Sequence, residues 1–428
     1  MIPLVGASRR VAAAGASLIC ALTILLPGCG GSDDGGGPTS LKWFVQIQPG
    51  GSFQEAAARC TEQSNGQYEI ELELLPTDAS QAREQLVRRL GAEDSTIDIV
   101  GMDVIWTGEF ANAGWLREWP DDQARQVTKG VFDSVVETAR FENKLYGAPF
   151  NSNTQLLWYR TDVVKEPPKT WEEMITQAEE IGPSGGLIQV QANQYEGFTA
   201  WFNALLESAG GHILSGPETV DLPEGPTDDA LEVMGRLGNS PVAAPDIDTS
   251  NEDTARLGFE AGDSAFMVNY TFAYASANEN APDVAKNMGF APWPRVVADR
   301  PSAPPLGGFN NGVSAYSEEP DLAFEAAACL SSPENQLTAT ELDGLPPSNE
   351  SLYTDKVVRK AYPGFAQLVK RSIGNAGPRP ATPAYQDVSL AIQRSLHPPA
   401  SIDPDDVTPT YDELRSNLED AVKREGLL

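Results

Sequence analysis

From Leu41 onward the sequence alternates short β-type runs with helix-type stretches, and this alternation limits what the chain can fold into more than any other feature. Leu41-Lys42-Trp43-Phe44-Val45 reads as a strand and Phe53 to Ser64 as a helix. Tyr68 to Leu75 reads as a second strand, with Tyr68, Ile70, Leu72 and Leu74 on one face. A helix over Gln81 to Gly91 follows, then a buried-type strand Ile97-Asp98-Ile99-Val100-Gly101-Met102. A helix over Val104 to Gly114 comes next, with Trp106 and Phe110 on one side. Such an order needs crossover helices on the sheet faces, so it predicts an α/β fold with a largely parallel sheet.

The rest of the chain keeps this style. Gln155 to Tyr159 is a strand, and Thr170-Trp171-Glu172-Glu173 is a capping box opening a helix that stops at Gly182-Pro183. Gly197 to Ser208 is an apolar helix closed by Gly210-Gly211. A second capping box, Thr249-Ser250-Asn251-Glu252, starts a helix ending at Gly262 and by itself fully occupies Glu252. Ala265 to Asn269 is the next strand, and Asp321 to Leu330 and Tyr411 to Glu425 are late helices. Dense proline between Pro292 and Pro305 marks a connection. His212 and His397 both read as loop residues with local hydrogen bonds.

The N-terminus fixes the compartment. Arg9 and Arg10 precede an apolar run, Val11 to Leu26, that is too short to span a bilayer and reads as the core of a signal peptide over residues 1–28. The run ends in Leu26-Pro27-Gly28-Cys29, which resembles a bacterial lipobox with Cys29 as the lipidated residue. The Gly- and Asp-rich segment over 29–38 has the composition of a flexible tether. The formal charge is -31, and removal of Arg9 and Arg10 with the signal makes the processed chain more acidic by two. A surface of that sign repels phosphate backbones, so nucleic acid is excluded as a partner. Once Cys20 leaves with the signal and Cys29 takes lipid, only Cys60 and Cys329 remain. One bridge is then possible in an oxidising compartment, Cys60–Cys329, with two buried free thiols as the alternative.

Catalytic motifs are missing: there is no Gly-rich phosphate loop, HExxH, CxxC or GxSxG, and two His and four Cys leave little for a metal. No cofactor and no catalytic residue is assigned. Ligands of open α/β sheets bind beyond the carboxyl ends of strands, so residues after each strand are the candidates. Asp103 follows the third strand and offers either a carboxylate acceptor or a helix cap. Asp98, inside that strand, is the poorer choice. Asn151, Ser152 and Asn153 stand where the chain crosses between lobes, with a ligand-binding and a backbone-satisfying reading equally open. Tyr270 after the Ala265 strand offers a ring face to a sugar or to the core. Gly308-Phe309 permits close backbone approach, and Arg379 sits between Pro378 and Pro380, which stiffen its backbone.

Taken in order, several segments resemble the extracellular solute-binding proteins of bacterial ABC sugar importers. They are Ile97 to Trp106 with Glu109 to Leu116, Leu145 to Pro149 with Asn153 to Arg160, Ala261 to Met267, Gly307-Gly308, and Arg379 to Tyr385. They span essentially the whole mature chain. Within that family the likeness is greatest to actinobacterial trehalose-binding lipoproteins of the mycobacterial recycling type. The resemblance implies sugar contacts from Asp103, Asn153, Glu252, Tyr270, the Gly308-Phe309 backbone and Arg379, with Asn151 and Gln81 beside them. This chain departs from those relatives at Tyr270, where they carry Trp, and at Ala82, where they carry Gln.

The fold implied is α/β and two-lobed, like a periplasmic binding protein, with discontinuous lobes joined by hinge crossings. Lobe I covers 39–150 and 293–345, and lobe II covers 151–292 and 346–428. The function implied is that of a non-enzymatic monomer, lipid-anchored on the extracytoplasmic face of the cell membrane. It captures a disaccharide, trehalose first, and passes it to ABC permease subunits driven by a cytoplasmic ATPase. Two other classes stay open on the residues alone: a secreted glycoside-processing enzyme using a carboxylate pair such as Asp103 and Glu252, and a receptor for another small solute such as a peptide or polyamine.

Overall fold

The computed structural model describes residues 37–76 and 79–423. The expected signal peptide, the expected lipidation site Cys29 and the expected tether up to residue 36 lie outside them. The strands are β1 (Thr39–Gln46), β2 (Tyr68–Leu75), β3 (Ile99–Asp103), a small hairpin of β4 (Arg140–Phe141) and β5 (Lys144–Leu145), and β6 (Gly147–Arg160). Then come β7 (Leu187–Gln189), a second hairpin of β8 (Leu214–Gly216) and β9 (Thr219–Val220), β10 (Ser264–Tyr270), β11 (Met288–Ala291) and β12 (Leu306–Val313). Between them lie α1 (Ser52–Gln63), α2 (Ala79–Leu90), α3 (Thr107–Asn112), α4 (Asp121–Val127), α5 (Asp133–Thr138), α6 (Trp171–Ile181), α7 (Glu196–Ala209), α8 (Glu224–Gly238) and α9 (Glu252–Glu260). The later helices include Pro320–Leu330, Tyr385–Leu396 and Thr408–Lys423.

The main sheet runs β2-β1-β3-β12-β6-β10-β7, with β11 also on β6. β6 holds it together. Its first half pairs with β12 and its second half with β10 and β11, so one extended segment carries the chain from one half of the sheet to the other. The sheet is mixed rather than largely parallel. β1 is parallel to β2 and β3, and β10 to β7, but β12 runs antiparallel to both β3 and β6, and β6 runs antiparallel to β10 and β11. The antiparallel neighbours are far apart in sequence, with α6 to α9 lying between β6 and β10, so no local connection sets their direction.

β1 is buried on both faces, as an inner strand should be. Leu41, Trp43 and Val45 pack with Phe53, Ala56 and Ala57 of α1, while Phe44 packs on the other side with Leu86, Leu90, Met102 and Phe110. β2 departs from strict alternation. Tyr68 and Ile70 are buried, but Leu74 is 49% exposed and Leu75 is buried beneath α2. β2 is the edge strand, and at its end the helix covers the opposite face. Cys60 of α1 and Cys329 of the helix Pro320–Leu330 form the expected disulfide across 269 residues.

The second half is built on Leu157, Phe266 and Val268, covered by α6, α7, α8 and the helices Tyr385–Leu396 and Thr408–Lys423. Here α7 is buried almost all round. Thr170 caps α6 through Glu173 N, but the Glu173 carboxylate accepts from Lys169 N, not from the cap residue. The second box lies two residues later than the spacing suggests. Ile247–Thr249 forms a 3₁₀ turn, and Asn251 is the cap of α9. Asn251 Oδ1 accepts from Asp253 N and Thr254 N, and Thr254 Oγ1 accepts from Asn251 N. Glu252 therefore has no capping duty. Asp98 precedes β3 instead of lying within it, and accepts from Lys42 N at 2.9 Å and Ser317 Oγ at 2.5 Å. His212 pairs with Glu207, and His397 Nε2 with the Asp248 carbonyl.

Candidate functional site

The strand ends converge on a cavity of about 600 Å³. β3 delivers Asp103, the β6 crossing delivers Asn151 and Asn153, β10 ends on Tyr270, β12 passes Gly307-Gly308-Phe309, and α9 starts at Glu252. Arg379 enters from its proline-flanked loop. Eight of the nine candidate ligand contacts thus meet in one place. Gln81 does not: it is exposed on α2 and absent from the lining, which takes Ala79, Ser80 and Arg83 from that helix. Ala82 is fully buried with Leu86 and Leu90. Helical periodicity turns position 82 to the core and 79, 80 and 83 to the cavity.

The β12 segment sets the geometry. Phe309 pairs with Asp103 on one side and Asn151 on the other, and the register shifts between Phe309 and Asn310. Asn151 Oδ1 fills that irregularity by accepting from Phe309 N at 3.2 Å, so its amide oxygen serves the backbone. The Gly308 carbonyl accepts from Val104 N at 3.2 Å, tying the residue after Asp103 to β12. Gly308 has φ +136°, and a Cβ there would stand 2.3 Å from the Asn151 carbonyl oxygen. Only glycine fits.

Asp103 Oδ1 accepts from Ile105 N at 3.2 Å, while Oδ2 makes no hydrogen bond among the described residues. Burial pushes its carboxyl up from the ordinary carboxylate range, and the nearby Arg379 charge only partly opposes this. Burial likewise raises Glu252. Beside it lies the Tyr195 hydroxyl, also raised by burial and by the Glu252 charge, with no well-formed hydrogen bond to any described residue. Asn153 Oδ1 accepts from Thr154 N, leaving the amide NH₂ without a partner among the described residues. The Tyr270 phenol is raised by burial and stays neutral. Burial alone would weaken the Arg379 cation, but the acidic groups of Tyr385, Glu196, Asp103 and Tyr270 reverse the balance, so the guanidinium is a fixed charge.

These groups supply acceptors, donors and ring faces in one space: the carboxylates of Asp103 and Glu252, the donors of Asn153 and Arg379, and the aromatics Trp106, Tyr195, Tyr270 and Phe309. Several were not singled out from sequence. Tyr195 and Glu196 carried a readable signal, since polar residues opening a helix that is otherwise all core must face something other than core. Gln386 and Gln393, which also reach the cavity, carried none. No cluster of three or more His, Cys, Asp or Glu suited to a metal occurs among the described residues, and no helix among them is long and apolar enough to cross a membrane.

Residues 55–367 match the family model described as bacterial extracellular solute-binding protein. A probable ABC transporter-binding protein of Deinococcus radiodurans is 30% identical over 347 residues, covering 77% of this chain and 81% of that protein. Maltose-bound MalE3 of T. maritima superposes with a TM-score of 0.76 at 25% identity, over 90% of this chain and 99% of that one. A cyclo/maltodextrin-binding protein complexed with maltotetraose shares the fold with a TM-score of 0.73 at 18% identity, over 92% and 99%. The architecture is the mixed α/β, two-lobed periplasmic-binding-protein fold. These relatives bind solutes for transporters and are not enzymes. On this match, the chain belongs to the bacterial extracellular solute-binding protein family.

Proposed function

We propose that this chain is the lipid-anchored sugar receptor of an ABC importer, holding a disaccharide, trehalose first, and passing it to a membrane permease. The observation that carries the ligand class is the cavity itself. Two carboxylates without a cation partner among the described residues, several side-chain amides, two arginines and four aromatic side chains line about 600 Å³, within the size range of small-ligand sites. Hydroxyl groups donate to Asp103 and Glu252 and accept from Asn153 and Arg379, while a pyranose C–H face rests on Tyr270. A maltose-bound relative supports a glucose disaccharide as the class. Trehalose rests on the ordered sequence resemblance, and the anchor rests on Leu26-Pro27-Gly28-Cys29.

In this reading, lobe I is 39–150 with 293–345 and lobe II is 151–292 with 346–428. The crossings near Asn151 and Pro292 form the hinge, and the lobes close on the sugar. Calorimetry of the processed protein with trehalose, maltose and sucrose tests the assignment. Trehalose should bind best, and Tyr270→Ala should weaken it about tenfold through lost ring contact, roughly 1.5 kcal/mol. Silence from every di- and oligosaccharide would overturn the reading.

A further inference from the structure

α7 begins at Glu196 and its following residues, Gly197 through Leu206, all lie in the core. The Glu196 carboxylate is therefore carried on a rigid element, at the positive end of the helix dipole. Its Oε1 accepts from Arg379 Nη1 at 2.5 Å and from the Tyr385 hydroxyl, and its Oε2 accepts from Ser389 Oγ at 2.7 Å. Tyr385 and Ser389 stand one turn apart on the helix Tyr385–Leu396, so the Arg379 loop and the helix that follows it both meet α7 on one carboxylate. Arg379 is further held by the Leu306 carbonyl, which accepts from Nη2 at 3.2 Å. The Arg379 side chain is only 9% exposed, and the rest of its donor fork makes no hydrogen bond among the described residues.

An unpaired arginine in a cleft captures phosphate or carboxylate, because such charge-assisted, bidentate pairs are the strongest available to it. Here Glu196 occupies one edge of the fork and cancels its charge. Arg83, the other cation on the lining, is bound to Glu109 in the same way. Asp103 and Glu252 have no ion-pair partner among the described residues, so the cavity as a whole is left negative.

We infer that Glu196 is a positioning residue that acts through Arg379. It holds the guanidinium so that its free donors meet the hydroxyls of a neutral sugar, and it cancels the charge that would recruit an anionic one. The ligand class in this inference rests on the disaccharide reading, whereas the Glu196–Arg379 coupling does not.

The test is a cycle of Glu196→Gln, Arg379→Met and the double variant, titrated with trehalose and with a monophosphate ester of the same disaccharide. Glu196→Gln should weaken trehalose by about tenfold or more while tightening the ester, since the arginine is then an unpaired cation. In the Arg379→Met background the same change should do little. Equal losses for both ligands, or a full Glu196 effect without Arg379, would overturn the inference. A wild-type protein that binds neither saccharide refutes the disaccharide reading instead. The coupling is then read from thermal unfolding of the same four ligand-free proteins, where non-additive losses support it and additive losses sink it. If Glu196→Gln does not fold, Tyr385→Phe loosens the same carboxylate without altering charge: trehalose affinity should fall with no gain for the ester, and unchanged affinity would count against the proposal.

Discussion

Substituting Gly308 by alanine probes the junction on which the candidate site is assembled. The added Cβ would lie 2.3 Å from the Asn151 carbonyl oxygen and 3.0 Å from the Ser152 Cα, both backbone atoms inside the β6–β12 ladder. Neither can swing aside as a side chain would. The φ of +136° is itself a conformation that residues with a Cβ rarely adopt. Backbone strain of about 1–3 kcal/mol and overpacking of about 1–3 kcal/mol act together, so a loss of roughly 2–6 kcal/mol is expected. Relief by moving β12 would disturb the Val104 N to Gly308 carbonyl bond and the Phe309 N to Asn151 bond, and with them the position of Asp103. Sugar affinity should therefore fall with stability. Urea unfolding followed by tryptophan fluorescence measures the loss, and Gly307→Ala is the control, because its nearest neighbour is the Asn153 Cβ at 3.6 Å, an ordinary contact. The control should stay within about 0.5 kcal/mol of wild type. If Gly308→Ala proves as stable as Gly307→Ala, the steric reasoning is wrong.

Ligand binding should also depend on pH in a defined direction. Asp103 and Glu252 are held above the usual carboxylate range by burial, so their ionised forms cost stability above their folded pKa values, and that cost is relieved as pH falls through them. A sugar hydroxyl needs the ionised acceptor, so affinity should decline on acidification well before the ordinary carboxylate range near pH ~4 is reached. Binding should then release protons, seen as a calorimetric heat that changes with buffer ionisation; affinity that stays flat down to that range would contradict the assignment. Reduction of Cys60–Cys329 opens a cross-link spanning 269 residues and should cost about 2–5 kcal/mol, with sugar affinity unchanged because neither cysteine lines the cavity. An unaltered melting temperature under reductant would remove the bridge from the list of stabilising contacts.

Wherever local rules dominate, the fold could be read from residues. Trp43 and Phe44 alternate across an inner strand, Trp106 and Phe110 stack at 5.9 Å one helical turn apart, and Cys60 and Cys329 form the bridge that the cysteine count made possible. Strand direction could not be read the same way, because whether β12 runs with or against β3 depends on how the chain returns to the sheet and leaves no trace in the periodicity of Leu306–Val313. The site divides along the same line. Residues just past strand ends, such as Asp103 and Tyr270, follow from the geometry of α/β sheets, whereas Gln386 and Gln393 reach the cavity through packing between helices far apart in sequence.

Glu252 shows how a small local choice alters a functional assignment. Thr249 and Glu252 have the spacing of a capping box, and in that pairing the glutamate is spent on the backbone N–H of residue 249. The 3₁₀ turn over Ile247–Thr249 delays the helix, and Asn251, as good a cap as threonine, takes over with Thr254 as its reciprocal partner. Glu252 becomes the first residue of the helix. Its backbone carbonyl accepts from Asn269 Nδ2 at 2.9 Å, which pins the helix start to the end of β10, one residue before Tyr270. The carboxylate, no longer paired with residue 249, engages its own backbone N–H and faces Tyr195 across the cavity wall. Restoring the earlier cap would return the glutamate to the N–H of residue 249, so Glu252 is a candidate ligand acceptor only because the helix begins where Asn251 places it.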